Sequence, residues 1–118
     1  MSQELYTYRC EVVRVVDGDT LDLRVDLGLR VFVDARVRLV GVNTPEIYGV
    51  EKTSEEFTKG MQAKRHVDAW IVEKGPNFLI HTQKDQTGKY GRWLGTLMPE
   101  DNTSSLNTYL DGLGYGER

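Results

Sequence analysis

The chain has one cysteine, Cys10. No disulfide can form within it, so the fold stands on its core, and a reducing compartment is the simpler setting. It also lacks an excess of positive charge: 15 Lys and Arg against 18 Asp and Glu leave a net charge of −3. That disfavours a protein that coats nucleic acid by bulk charge, but it leaves room for a local basic pocket. No apolar run approaches the roughly 18 residues of a membrane span. Met1-Ser2-Gln3-Glu4 carries no basic patch ahead of an apolar stretch, so no signal peptide is visible and a cytosolic protein is expected. Internal repeats, low-complexity tracts and linkers are absent too. With 118 residues, 39% hydrophobic and 28% charged, the chain reads as one globular domain over 1–118 with one modest core.

What is present is mostly strand pattern. Tyr6 to Val16 is rich in β-branched and aromatic residues, and Asp17-Gly18 is a tight-turn signal. Leu21, Leu23 and Val25 alternate with Asp22, Arg24 and Asp26, the period of a half-buried strand. After a break at Gly28, Val31, Val33, Ala35, Val37 and Leu39 alternate in turn. These runs predict a three-stranded antiparallel meander. Thr53-Ser54-Glu55-Glu56 then signals a helix start, with a hydroxyl cap and acids near the positive end of the dipole. Phe57, Met61, Ala63, Val67, Trp70 and Ile71 share one broad helical face, with Lys64 and Asp68 intruding at its edge. Gly75-Pro76 ends the helix. Short strands follow at Phe78 to Thr82 and Trp93 to Met98, a polar loop at Gln86 to Gly91, and a short helix at Ser104 to Asp111. The expected fold is α+β, mainly β. It is a five-stranded OB-type Greek-key barrel with a helix between strands three and four and a short C-terminal helix.

Three segments carry residues suited to chemistry. Asp19 follows the Asp17-Gly18 turn. Arg38 to Glu46 closes the third strand, and Arg92 stands where the polar loop enters the fifth. In a closed meander the start of strand two lies near the end of strand three, so Asp19 and Asn43-Thr44 are expected at one rim. Carboxylate, amide and carbonyl oxygens are the ligands a hard cation such as Ca²⁺ takes. Arginine forks bind phosphate and stay charged, and a glutamate can accept a proton from an attacking water. Arg38 is out of phase with Val37 and Leu39, so it faces away from the side they share. Together these types suit phosphodiester cleavage.

"VVDGDTLDL", "RLVGVNTPE" and "GKYGRWLG" resemble, in order and spacing, the three signature segments of the staphylococcal (thermonuclease-like) nuclease family. The resemblance runs from about Tyr8 to Leu113. It implies an OB barrel that hydrolyses DNA and RNA, usually with one Ca²⁺ ion, at the P–O5′ bond to leave 3′-phosphates. Residue by residue, it makes Asp19 a metal-binding carboxylate and Thr44 the donor of a metal-binding carbonyl. Arg38 and Arg92 become phosphate-binding arginines, and Glu46 the general base. Lys89 and Tyr90 fall beside the substrate phosphate. Asn43 stands where family members often have aspartate. Its amide oxygen can still bind Ca²⁺, with one negative charge fewer. A further family helix and base-stacking tyrosines, Tyr115 apart, are not found before Arg118. A monomer is the default, with a dimer conceivable. A compact nuclease without an export signal suggests a phage, prophage or mobile-element product.

The same residues admit plainer roles. Asp17 to Thr20 can be a simple hairpin turn. Arg38 and Glu46 can be an exposed ion pair, and Arg92 can hold a turn carbonyl. His66 is read as solvated, His81 as structural and Cys10 as a buried small residue; Trp70 and Trp93 are read as core. Glu51 and Lys52 decorate a loop. The rival function is a catalytically weak nucleic-acid- or protein-binding module on the same fold. Asn43 leans toward it; the two arginines and Glu46 lean away.

Overall fold

The computed structural model describes residues 5–87, 92–101 and 103–117, with backbone alone over 84–87. Five strands close a barrel: β1 (Thr7–Asp17), β2 (Thr20–Asp26), β3 (Phe32–Leu39), β4 (Asn77–Thr87) and β5 (Trp93–Pro99). Their order around the barrel is β1-β2-β3-β5-β4. Helix α1 (Glu55–Lys74) bridges β3 and β4, and the short helix α2 (Leu106–Leu110) follows β5. This is the OB-type architecture that the meander and the helix placement predict.

The registers explain the closure. β1, β2 and β3 form antiparallel hairpins, with Asp17 opposite Thr20 and Thr20 opposite Arg38. β1 shifts register between Val12 and Arg14 and again between Val15 and Asp17. Such bulges bend a strand. Bent in this way, β1 pairs with β2 on one side and, over Thr7–Glu11, with β4 on the other. The route through α1 and β4 brings β5 back parallel to β3, with Arg38 opposite Leu94. β4 runs further than its apolar core, because Thr87 pairs with Trp93 after a register shift.

Alternation places the core. Leu21, Leu23 and Val25 of β2, Val37 and Leu39 of β3, Phe78 and Ile80 of β4, and Leu97 of β5 are all buried. Val67 and Trp70 of α1 and Leu106 and Leu110 of α2 close over them. Trp70 stacks on Phe78 with ring centroids 5.5 Å apart. The α1 cap is the one expected: the Ser54 Oγ accepts from Phe57 N at 3.1 Å. The buried face of α1 is narrower than its apolar pattern, comprising Gly60, Ala63, Val67 and Trp70. Lys64 and Asp68, at its edge, pair with each other at 3.3 Å.

Trp93 corrects one expectation. It is 39% exposed and not a core residue. It shares the phase of Gly95 and Leu97, but it sits at the barrel rim. There, with Tyr6, Tyr8, Val33, Ala35 and Val37, it lines an apolar cavity of about 280 Å³. Val31 and Val33 are exposed at the same end. Phase tells which way a side chain points, not whether anything covers it. After α2, a π-type turn (Asp111–Tyr115) leads the chain back to β3.

No helix among the described residues is long and apolar enough to cross a membrane.

Candidate active site

The site forms where the β1–β2 turn meets the segment leaving β3. Asp17 Oδ1 accepts from Asp19 N at 3.0 Å, which tightens the turn. Asp19 is buried, and its Oδ1 accepts from Thr20 Oγ1 at 2.9 Å. Its backbone carbonyl accepts from Leu39 N at 2.8 Å. Its Oδ2 accepts from Thr44 N at 3.3 Å and lies 3.6 Å from Arg38 Nη2. Arg92 reaches the same cluster: its Nη1 donates to Thr20 Oγ1 at 3.2 Å. Segments far apart in sequence thus converge on one rim, with Asp19, Arg38, Thr44 and Arg92 brought together.

Close approaches make this possible. A Cβ on Gly18 would lie 2.8 Å from Ala63 Cβ and 2.8 Å from Thr44 Cγ2. The turn therefore nests between α1 and the β3 exit only because position 18 is glycine. Gly60 does the same for the other wall. A Cβ there would lie 2.5 Å from Ile47 Cγ2 and 2.7 Å from the Pro45 carbonyl oxygen. The Pro45–Ile47 segment rests on α1 at this point, with Glu46 held outward and exposed. Asn43 is exposed as well. Both line a cleft of about 620 Å³ with Thr44, Pro45, Glu55, Glu56 and Lys59. Glu46 and Asn43 therefore flank the buried cluster and stand outside its hydrogen bonds. Lys89 and Tyr90 lie outside the described residues.

In the sequence Asp17 stands only as a turn residue. Its carboxyl is buried and its pKa is pushed up to about 7. Burial is the largest cause, followed by the hydrogen bond and charge of Asp19; the charge of Glu46 adds to them. Two carboxyls crowded in a half-dry rim disfavour double ionisation. The D-x-D spacing across a two-residue turn was the signal that could have identified it. Asn107 was also missed. From α2 its Nδ2 donates to the Val40 carbonyl at 2.8 Å and the Gly95 carbonyl at 3.2 Å, and its Oδ1 accepts from Leu97 N at 3.1 Å. It staples the β3 exit to β5. His66 is exposed, as expected, and lies 6.4 Å from the Tyr115 ring, which packs against the core. His81 Nδ1 lies 2.9 Å from Thr7 Oγ1, a structural placement.

The buried Asp17 and Asp19 carboxyls and the buried Thr44 Oγ1 are oxygens of the kind a hard cation takes, with the exposed Asn43 amide beside them. Among the described residues that hydroxyl oxygen has no hydrogen-bond partner. Also among the described residues, no group of three His, Cys, Asp or Glu side chains converges for a metal. A cation held here would draw part of its shell from neutral oxygens.

The model of the staphylococcal nuclease homologue family matches residues 36–115. Three curated proteins are similar over much of the chain. Protein MJ1439 of Methanocaldococcus jannaschii is 28% identical over 92% of this chain and 57% of its own length. Protein ParB of Escherichia coli is 38% identical over 75% of this chain and 41% of its own. Endonuclease YhcR of Bacillus subtilis is 29% identical over 92% of this chain and 9% of its own. The chain thus spans little more than half the length of these relatives, or less.

Proposed function

Because the chain belongs to the staphylococcal nuclease homologue family, we propose that it hydrolyses phosphodiester bonds of DNA or RNA at the site described above. The observation that carries this reading is the convergence of Asp19, Arg38, Thr44 and Arg92 on one rim beside an exposed glutamate. Arg38 and Arg92 would clamp the scissile phosphate and offset the charge that grows on its oxygens. Glu46, exposed in the adjoining cleft, would take the proton of the attacking water. The new bond joins water oxygen to phosphorus, and the P–O5′ bond breaks to leave a 3′-phosphate and a 5′ oxygen that takes up a proton from solvent to become a hydroxyl. Asp19, the Asn43 amide oxygen and the Thr44 carbonyl would hold one Ca²⁺, with Asp17 close behind. A bound Ca²⁺ supplies Lewis-acid charge stabilisation at the phosphate. The family's use of both nucleic acids leaves weak sequence preference as the expectation, since phosphate contacts carry no base information. A lone buried Cys10 fits a cytosolic setting.

One observation favours a second reading, a binding module with little activity: no three acidic or imidazole groups converge here among the described residues. Digestion of single-stranded DNA and RNA, with Ca²⁺ and with EGTA, separates the two. The nuclease reading expects Ca²⁺-dependent cleavage that falls about 100-fold or more in Glu46→Gln. Inert protein with Ca²⁺, Mg²⁺ and Mn²⁺ on both substrates would give the site to the binding module.

A further inference from the structure

The segment after α2 carries a carboxylate into the arginine cluster. Gly116 pairs with Val42 in an isolated antiparallel bridge. Asn43 N donates to the Tyr115 carbonyl at 2.8 Å, and Glu117 N donates to the Gly41 carbonyl at 2.9 Å. The strap is therefore fixed by backbone bonds on both sides of the bridge, alongside the exit from β3. The Asp111 carboxylate lies against the strap at Gly116. The outcome is that Glu117 Oε1 lies 3.1 Å from Arg38 Nη1.

Arg38 is engaged at both terminal nitrogens. Nη1 meets Glu117, and Nη2 lies 3.6 Å from Asp19 Oδ2. A guanidinium recognises phosphate through that same fork of N–H donors. The two carboxylates are not equivalent. Asp19 is buried and tied to Thr20 and Thr44. The Glu117 side chain is 52% exposed and meets the guanidinium at Nη1, whereas that of Arg38 is 19% exposed. An exposed ion pair is weak and readily exchanged. Glu117 thus presents an anion where a phosphate must arrive, and holds it loosely.

We propose that Glu117 is a built-in anionic competitor at Arg38: the nucleic-acid phosphate binds by displacing the Glu117 carboxylate from the guanidinium. The inference rests on the reading of Arg38 as a phosphate clamp. Glu117 sets substrate affinity, and it takes no part in bond breaking.

The test is a cycle of variants, all in a Glu46→Gln background that blocks turnover. Binding of a fluorescent single-stranded oligonucleotide is measured by anisotropy with Ca²⁺ present, for the parent, Glu117→Gln, Arg38→Ala and the double variant. Competition at Arg38 expects Glu117→Gln to tighten binding roughly two- to fivefold, the range of an exposed ion pair. In the Arg38→Ala background the same change does nothing. Equal tightening in both backgrounds means a general charge effect and overturns the proposal, as does no tightening or weaker binding. Weaker binding would make Glu117 a positioning residue for Arg38. If Arg38→Ala alone leaves affinity unchanged, the clamp itself falls, and the competition with it. Thermal melts of each variant exclude a folding defect as the cause of any loss.

Discussion

The Asp19 carboxylate accepts the backbone N–H of Thr44 at 3.3 Å, and through that bond the turn that opens β2 is tied to the segment that leaves β3. The same carboxylate faces Arg38 and accepts from Thr20. A buried acid with this many partners fixes the position of both segments. Asp19→Asn keeps the shape but sets an amide N–H₂ against the donors around it. It should abolish the Ca²⁺-dependent gain in Tm that a working site provides. That gain is about 2.7 kcal/mol of stability at a hundredfold excess of Ca²⁺ over Kd. Calorimetric scans with Ca²⁺ and EGTA read it directly, and a variant that kept the full gain would remove Asp19 from the cation site.

Asn107 predicts the largest loss of stability for a residue outside the apolar core. Its side-chain amide satisfies the Val40 and Gly95 carbonyls and the Leu97 N–H. Asn107→Ala leaves buried backbone groups unpaired, at a cost of roughly 3 kcal/mol. Chemical denaturation should show a lower midpoint with an unchanged m value. A loss below about 0.5 kcal/mol would mean that water replaces the staple.

Gly60 predicts a change that separates activity from folding. Alanine is favoured over glycine in a helix by about 1 kcal/mol. Here the new Cβ meets Ile47 Cγ2 and the Pro45 carbonyl, and overpacking costs about 1–3 kcal/mol. The two effects largely offset in stability. The segment carrying Glu46 still has to move, and a displacement of about 1 Å at a reacting group costs on the order of a hundredfold in rate. Gly60→Ala should therefore lose kcat by about 10- to 100-fold while Tm changes by only a few degrees. A variant with full activity would mean that the 45–47 segment yields without moving Glu46.

These residues mark what was legible in the sequence. Local rules were readable: the period-two runs of β2 and β3, the Ser54 cap, the glycine-proline stop and the D-G turn each depend on a few neighbouring residues. The β1-β2-β3 meander followed from the same runs, and it brought Asp19 to Thr44 as expected. Properties set by distant partners were not readable. Trp93 has an inward phase, yet it ends at an uncovered rim. Gly60 looks like a weak helix residue until the 45–47 segment is laid on it. Glu117 meets Arg38 only because the strap returns to pair with Val42. Pattern gives direction along one element, and what lies across from that element is a matter of topology.

Cys10 supplies a pH prediction. The thiol is buried among Leu23, Val25 and Phe78 of the core cluster, and burial, with some help from the Glu11 charge, pushes its pKa up to about 12. Well below pH 9 the thiol is neutral in both the folded and the unfolded chain. Above that, the unfolded chain releases the proton and the folded one does not, so stability falls as pH rises from 9 toward 12. The native protein should resist thiol reagents at pH 8 and react at once when unfolded. Rapid modification of folded protein at that pH would show that the barrel opens locally around β1.

Asn43 gives a prediction in the direction of gain. Its backbone N–H is fixed on the Tyr115 carbonyl at 2.8 Å, while its side chain lies exposed in the cleft beside Glu46. Asn43→Asp therefore adds a charge without disturbing the chain. A carboxylate about 4 Å from a unit positive charge contributes about 1 kcal/mol in a water-like dielectric, and more where the rim is dry. Ca²⁺ affinity should rise at least fivefold, and the rise should shrink with salt, since an exposed charge is screened. The same substitution brings a further anion into the cleft beside Glu46, Glu55 and Glu56, so without Ca²⁺ it should lower Tm slightly. Titration calorimetry with and without added salt measures the first effect, and melts in EGTA the second. An Asn43→Asp protein that bound Ca²⁺ no more tightly would place the cation away from this residue and leave Asp19 and Thr44 to hold it.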